Sequence, residues 1–210
     1  MRQGCFITLE GGEGSGKSTQ RAALAALLRG EGREVVETRE PGGSPGAEAI
    51  RSLFVLGDPE RWDPVTEAFL VFAARRDHVQ RLILPALTRG AWVICDRFAD
   101  STYAYQGYGH RVELEALHSL NQFAVGDLTP DLTLLLDLPV EEGLSRALER
   151  GDEQRFETLG RKFHHRVREG YLKMAVAEPE RFALIDASQP VGQVTRAISR
   201  ALEEKLGLRL

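Results

Sequence analysis

The sequence has few cysteines, no long apolar run and no excess of positive charge. Its two cysteines, Cys5 and Cys95, lie in separate apolar segments without a CxxC or Cys/His pattern, which predicts reduced thiols and no zinc site. No apolar run approaches the length of a transmembrane helix, and the first is too short for a signal peptide, so we expect a cytoplasmic protein away from membranes. The net charge of −4 argues against a nucleic-acid polymer as partner.

Lysine is also scarce, so that nearly all basic residues are arginine. The planar guanidinium of arginine suits phosphate oxygens, although an arginine-rich coding bias explains the composition equally well. The length of 210 residues, 42% of them hydrophobic, suits one compact domain spanning residues 1–210. Lysine occurs only at Lys17, Lys162, Lys173 and Lys205.

A glycine-rich segment of the form G-x-x-x-x-G-K-[ST] follows the first apolar run. The run predicts a strand and the residues after the segment repeat at helical spacing, which is the strand–loop–helix context of a phosphate-binding P-loop. In that context backbone N–H groups and the helix dipole bind phosphates, Lys17 reaches the β- and γ-phosphates, and Ser18 ligates Mg²⁺. The alternative is an ordinary glycine-rich turn. The predicted ATP-binding residues are Gly11, Gly12, Glu13, Gly14, Ser15, Gly16, Lys17, Ser18 and Thr19.

Five short apolar segments predict β-strands that alternate with helices. This alternation is typical of a doubly wound α/β fold, here a five-stranded parallel sheet with helices on both faces. The predicted strands comprise residues 5–9, 34–38, 91–95, 132–136 and 182–186.

Charged residues stand where two predicted strands end. Arg39 follows the second strand and is either a ligand-binding residue at the carboxyl edge of the sheet or a solvated surface residue. Asp96 follows the third strand and is a candidate second ligand of Mg²⁺. Arg97, directly after it, indicates an anion at the same place.

Two further segments are candidates for contact with a base. Residues 100–109 are polar and aromatic, which suits hydrogen bonding and stacking to a ring, with a purely structural loop as the alternative. Phe72 stands beside Arg75 and Arg76; it is a core residue by default, but an aromatic next to arginine can also stack on a base.

An arginine-rich break separates two predicted helices near residue 150. Arg146, Arg150 and Arg155 cluster there. On its own, such a run is usually a solvated face.

Three blocks of sequence carry a resemblance to a known family. They are LEGGEGSGKST at 9–19, TREPGG at 38–43 and DRFADSTYAYQGYG at 96–109. With them the chain closely resembles, over nearly its whole length, the thymidylate kinases, P-loop enzymes that convert dTMP to dTDP with ATP. The resemblance implies the fold of P-loop nucleoside triphosphate hydrolases, a dependence on Mg²⁺, ATP and dTMP as substrates, and a homodimer.

The resemblance also assigns roles to residues. Lys17 and Ser18 would serve the ATP phosphates and Mg²⁺, while Arg39 and Arg97 would hold the dTMP phosphate, with Arg97 next to the transferring group. Glu13 would reach the side of the sugar that carries the 3′-hydroxyl. Phe72 would stack on thymine, and the edges of the base would be lined by Arg76, Ser101, Thr102 and Gln106.

A lid at about residues 146–157 would close on ATP and bring Arg150 and Arg155 into catalysis. Some family members carry an arginine in the P-loop where this chain has Gly14, so the chain resembles the bacterial type with lid arginines. One departure is Gln154, where such lids often have aspartate; Asp152 and Glu153 are nearby carboxylates.

Two other functions remain open at this level. A kinase for another nucleoside monophosphate or a deoxynucleoside would share the P-loop, but two arginines ending separate strands favour an acceptor that already carries phosphate. A nucleotide-gated switch of the GTP type would be expected to carry an N-K-x-D segment, which the sequence lacks.

Overall fold

The computed structural model describes residues 4–55, 61–149 and 159–208. Five parallel strands form one sheet in the order β2-β3-β1-β4-β5, which confirms the predicted doubly wound fold. The strands are β1 (Phe6–Glu10), β2 (Val35–Arg39), β3 (Trp92–Asp96), β4 (Leu132–Asp137) and β5 (Phe182–Asp186).

Helices cover both faces of this sheet, because successive residues of each buried strand point to opposite sides. In β1, Phe6 packs into a cluster with Ile83 and Leu117, whereas Ile7 packs with Leu24 and Ile198 on the other face. The helices are α1 (Lys17–Gly30), α2 (Pro45–Val55), α3 (Pro64–His78), α4 (Leu84–Thr88), α5 (Ala99–Thr102), α6 (Leu114–Val125), α7 (Val140–Glu149), α8 (Arg161–Ala177) and α9 (Val191–Leu206).

The segment at 99–109 is helical, not an irregular loop. A turn of α5 continues directly into a π-helix at Tyr103–Gly109. This wider helix packs closely against α8: a Cβ at Gly170 would collide with the ring of Tyr108, and one at Gly109 with Phe163. The close fit fixes the wider helix, and π-helical turns of this kind are frequent at functional sites.

Across the three described ranges, no helix is both long and apolar enough to cross a membrane. Cys5 and Cys95 are both thiols, and Cys95 is buried.

Candidate active site

The glycine-rich segment forms the turn between β1 and α1. Gly16 caps the start of α1 with φ 87°, a left-handed conformation that favours glycine. Gly14 also has positive φ, and a Cβ there would collide with the backbone carbonyl of Gly143 on α7. At Gly14 the loop therefore presents backbone, not a side chain, to α7.

Lys17 folds back over this loop. Its Nζ donates to the carbonyl oxygens of Gly11 (3.1 Å) and Gly12 (2.8 Å) and to Ser15 Oγ (3.2 Å). Burial, together with the charge of Arg97, lowers the pKa of Lys17 to about 8. A phosphate anion would offer this cation stronger acceptors than the neutral carbonyls do.

Ser18 and Asp96 meet across the sheet edge, where the Ser18 hydroxyl donates to Asp96 Oδ2 at 3.0 Å. Within the part of the chain that the structure describes, no group of three or more His, Cys, Asp or Glu residues could hold a metal. Magnesium, however, is usually held by one or two protein oxygens together with phosphate and water. The hydroxyl and carboxylate thus fit a Mg²⁺ ion that arrives with a nucleotide.

Arg97 lies at the centre of the site. Its φ of 69° is unusual for a residue with a side chain, and such backbone strain is found at functional sites. Burial disfavours its charge, but the neighbouring Tyr105 and Glu13 outweigh this and raise the pKa of Arg97. Its Nη1 donates to Gly11 O (3.0 Å), Ser101 Oγ (3.2 Å) and Tyr171 OH (3.3 Å), and its Nη2 to Glu13 Oε1 (3.0 Å) and Tyr105 OH (3.1 Å).

Glu13 is held as a carboxylate beside Arg97. Burial alone would raise its pKa, but the charges of Arg97 and Lys17 and a hydrogen bond from Tyr105 (2.7 Å) lower the pKa of Glu13 to about 2. The side chain is therefore an acceptor at all physiological pH values.

A second arginine, Arg75 of α3, is 1% exposed and contacts Phe98, the residue after Arg97. Its Nε donates to Glu40 Oε2 (2.7 Å), and its Nη2 donates to Thr102 Oγ1 (2.9 Å) and to the carbonyl of Phe98 (3.1 Å). The guanidinium carbon lies 5.1 Å from the centre of the Phe72 ring. Among the described residues, Nη1 finds no hydrogen-bond partner although it is buried. A buried donor without an acceptor is costly, which marks this atom as a place where a ligand oxygen fits.

The residues predicted to surround the base are only partly brought together. Phe72 is 5% exposed and belongs to the core under the sheet, while Gln106 Nε2 donates to Glu67 at 3.1 Å. Arg76 points away, because its Nη1 donates to the carbonyl of Ala124 on α6 at 3.1 Å. The side chains of Ser101 and Thr102 have different partners: Ser101 Oγ accepts from Arg97, whereas Thr102 Oγ1 accepts from Arg75.

Arg39 ends β2 with its side chain half exposed, 3.2 Å from Glu48. The predicted catalytic arginines Arg150 and Arg155 lie outside the described residues. Arg146 is the described member of that cluster, and its Nη1 donates to the carbonyl of Ala187, which follows β5, at 3.0 Å.

A P-loop faced by a hydroxyl–carboxylate pair and by converging arginines defines a P-loop phosphoryl-transfer enzyme. The family model described as thymidylate kinase matches residues 9–198. Thymidylate kinase of Caulobacter vibrioides is 55% identical over 208 residues, covering 99% of this chain and 100% of the relative. That of Pseudomonas fluorescens SBW25 is 56% identical over 199 residues, 95% of each chain. The crystal structure of thymidylate kinase from Ehrlichia chaffeensis matches with a TM-score of 0.76 at 33% identity, covering 95% of this chain and 98% of that one. The chain belongs to the thymidylate kinase family.

Proposed function

We propose that Lys17 and Arg97 together hold the phosphoryl group that this enzyme transfers. The reaction is the family's: the γ-phosphoryl of ATP passes to dTMP and gives dTDP. The observation that carries the assignment is that Lys17 Nζ and Arg97 Nη1 converge on one atom, the carbonyl oxygen of Gly11, at 3.1 and 3.0 Å. A phosphate oxygen entering this place would meet both cations at once.

The transfer requires charge stabilisation and positioning more than proton transfer. The second pKa of a phosphate monoester is about 6, so the attacking oxygen of dTMP is largely ionised at neutral pH without a general base. Magnesium, when bound with ATP, would neutralise charge on the phosphate oxygens, and Ser18 and Asp96 are the residues that would hold it. Arg39 is our candidate for the phosphate of dTMP, and Glu13 for its sugar hydroxyl.

For the base, we assign the reading of the thymine edge to Arg75 in place of Arg76. Arg75 has a buried donor to offer, and it lies beside the other candidates Thr102 and Phe72. Phe72 is largely buried, so only a small part of its surface is open to stacking by the thymine ring. The Phe72 ring also packs against the guanidinium of Arg75. Gln106, which follows Thr102 by one helical turn, remains a candidate for the same edge.

Replacing Arg75 by lysine is expected to raise the KM for dTMP about 10–100-fold, since a hydrogen bond to a charged group is worth roughly 1.5–3 kcal/mol. Lysine keeps the positive charge facing Glu40 but loses the fork that reaches Thr102 and the base together. Arg76→Lys is the matched control in the adjacent position, and its KM is expected to stay near that of the wild type. Steady-state kinetics with varied dTMP decide. A larger effect at Arg76 than at Arg75 would reverse the assignment.

We further propose that the lid, not the P-loop, supplies the remaining catalytic cations. The collision of any Cβ at Gly14 with Gly143 supports this, because an arginine could not stand at that place without moving α7. We therefore retain Arg150 and Arg155 as lid residues that meet the phosphoryl group, with Arg146 at the base of the lid.

Arg150→Ala is expected to lower kcat strongly, by up to about 10³-fold, with little change in the KM for dTMP, and Arg155→Ala to be milder. Arg39→Ala should instead raise the KM for dTMP first, because a contact made equally in the ground state affects KM. Kinetics of the three variants distinguish these roles. Wild-type kcat in both lid variants would show the segment to be a solvated charge run.

The enzyme is proposed to be a cytoplasmic homodimer. The dimer is supported by apolar side chains on the adjacent helices α3 and α6, where Phe69 is 56% and Phe123 is 91% exposed. The location is supported by the two thiols, which are typical of a reducing compartment. Sedimentation of the wild type and of Phe123→Asp tests the dimer.

A further inference from the structure

Glu10, the last residue of β1, is fully buried directly behind Arg97. Its Oε1 accepts from the backbone N–H of Phe98 at 2.7 Å. Its Oε2 accepts from Ser101 Oγ at 2.6 Å and from Tyr171 OH at 2.9 Å. One carboxyl group thus joins three parts of the chain: the turn after β3, helix α5 and helix α8. Burial and the charge of Asp100 raise the pKa of Glu10 to about 7, so it is the carboxylate that accepts all three bonds above that pH.

The two hydroxyls that donate to Glu10 also accept from Arg97 Nη1. Arg97 Nη1 lies 3.2 Å from Ser101 Oγ and 3.3 Å from Tyr171 OH. A hydroxyl has a single hydrogen, so a hydroxyl that gives it to Glu10 turns its lone pairs towards other donors. The carboxylate therefore orients both oxygens as acceptors for the guanidinium. Without it the two hydroxyls, 2.8 Å apart, could pair with each other instead.

Glu10 also holds the backbone from which Arg97 projects. Arg97 has φ 69°, and the next N–H, that of Phe98, is the group bound by Glu10 Oε1. A left-handed residue with a side chain persists only where its surroundings hold it there. The bond to Phe98 supplies such a restraint at the adjacent peptide.

We propose that Glu10 is a positioning residue for phosphoryl transfer, which fixes the direction of the Arg97 guanidinium through the turn and the two hydroxyls. Glu10 does not touch the substrate in this role; it acts through Arg97. The proposal rests on the role assigned above to Arg97.

Glu10→Gln tests it with almost no change in shape. Glutamine keeps one acceptor oxygen and replaces the other by an NH₂ donor, so it cannot accept from both Phe98 and the hydroxyls. We expect kcat to fall between about tenfold and a hundredfold, because a small misplacement of a catalytic group lowers the rate by about this much. The KM for ATP should be nearly unchanged. Glu37→Gln, on the partly exposed outer side of β2 beside Arg21 and Arg29, is the matched control and should keep wild-type kcat.

A coupling measurement separates positioning from general stability. In a Ser101→Ala/Tyr171→Phe background the route through the hydroxyls is already lost and only the bond to the Phe98 N–H remains, so Glu10→Gln should lower kcat less than it does in the wild type. Wild-type kcat in Glu10→Gln, or penalties that simply multiply, would overturn the proposal.

If Glu10→Gln does not fold, Ser101→Ala and Tyr171→Phe carry the test singly. Each is expected to lower kcat at unchanged KM for ATP, and wild-type kcat in both would overturn the proposal. Arg97→Ala separates the proposed role of Arg97 from that of Glu10. An active Arg97→Ala enzyme would remove the proposed role of Arg97 itself, whereas an inactive one together with a normal Glu10→Gln would remove only the role of Glu10.

Discussion

Lys17→Met is expected to abolish turnover, with a loss of at least about a hundredfold in kcat, while the fold persists. Among the residues that the structure describes, the hydrogen bonds of Lys17 Nζ go to the phosphate-binding loop, at Gly11, Gly12 and Ser15. Methionine keeps much of the length of the side chain but removes the cation that faces the transferring group.

The same change should not destabilise the protein. Lys17 is buried with its pKa lowered to about 8 by that burial and by Arg97, so its charge is costly in the folded state. We expect a melting temperature equal to or above that of the wild type, with an unchanged circular dichroism spectrum. Lys173→Met, at an exposed ion pair with Glu169, is the control for loss of a lysine and should keep full activity. Near-normal turnover of Lys17→Met would contradict the P-loop assignment.

Arg97→Ala is expected to lower kcat by about 10³-fold or more, comparable to the removal of an arginine that stabilises phosphoryl transfer. The guanidinium shares Gly11 O with Lys17, and alanine leaves Lys17 alone to meet the charge that develops. Arg97→Lys should recover only part of the rate, because lysine keeps the charge but cannot bind in two directions at once.

Arg97→Gly separates the side chain from the backbone at the same position. Glycine tolerates a φ of 69°, whereas alanine is strained there by roughly 1–2 kcal/mol. We therefore expect Arg97→Gly to be as inactive as Arg97→Ala but more resistant to urea. Equal stability of the two variants would show that the left-handed conformation relaxes when the guanidinium is lost.

The parts of the fold that were predictable are those with strong local patterns. Apolar strands between helices gave the sheet, and the glycine-rich motif placed Lys17 and Ser18. Asp96 was predicted at the end of β3 and does meet Ser18 there, while its role as a ligand of Mg²⁺ stays a prediction. The π-helix at Tyr103–Gly109 was missed, since its stability comes from packing against α8 and not from its own periodicity.

The choice between Arg75 and Arg76 shows what the sequence cannot predict about the site. Phe72 has Arg75 three and Arg76 four residues further on, and both spacings place side chains on one helix face. We prefer Arg75 for its contacts with Glu40 and Thr102, which are distant in sequence, and the assignment stays a prediction. Nothing in the sequence indicated the role that we propose for Glu10, for a similar reason. Glu10 ends an apolar strand without belonging to the P-loop motif, and its partners Ser101 and Tyr171 come from segments distant in sequence.

The central claim, a kinase that reads thymidylate and transfers phosphate from ATP, is tested most directly by ADP release across a panel of nucleoside monophosphates. We expect kcat/KM to be highest for dTMP and lower for dUMP by about 10–200-fold, the range that one methyl contact supplies. CMP and AMP should be far poorer, and ATP turnover without an acceptor should be negligible. An equal or higher kcat/KM with CMP or AMP, or ATP turnover that does not respond to dTMP, would contradict the account.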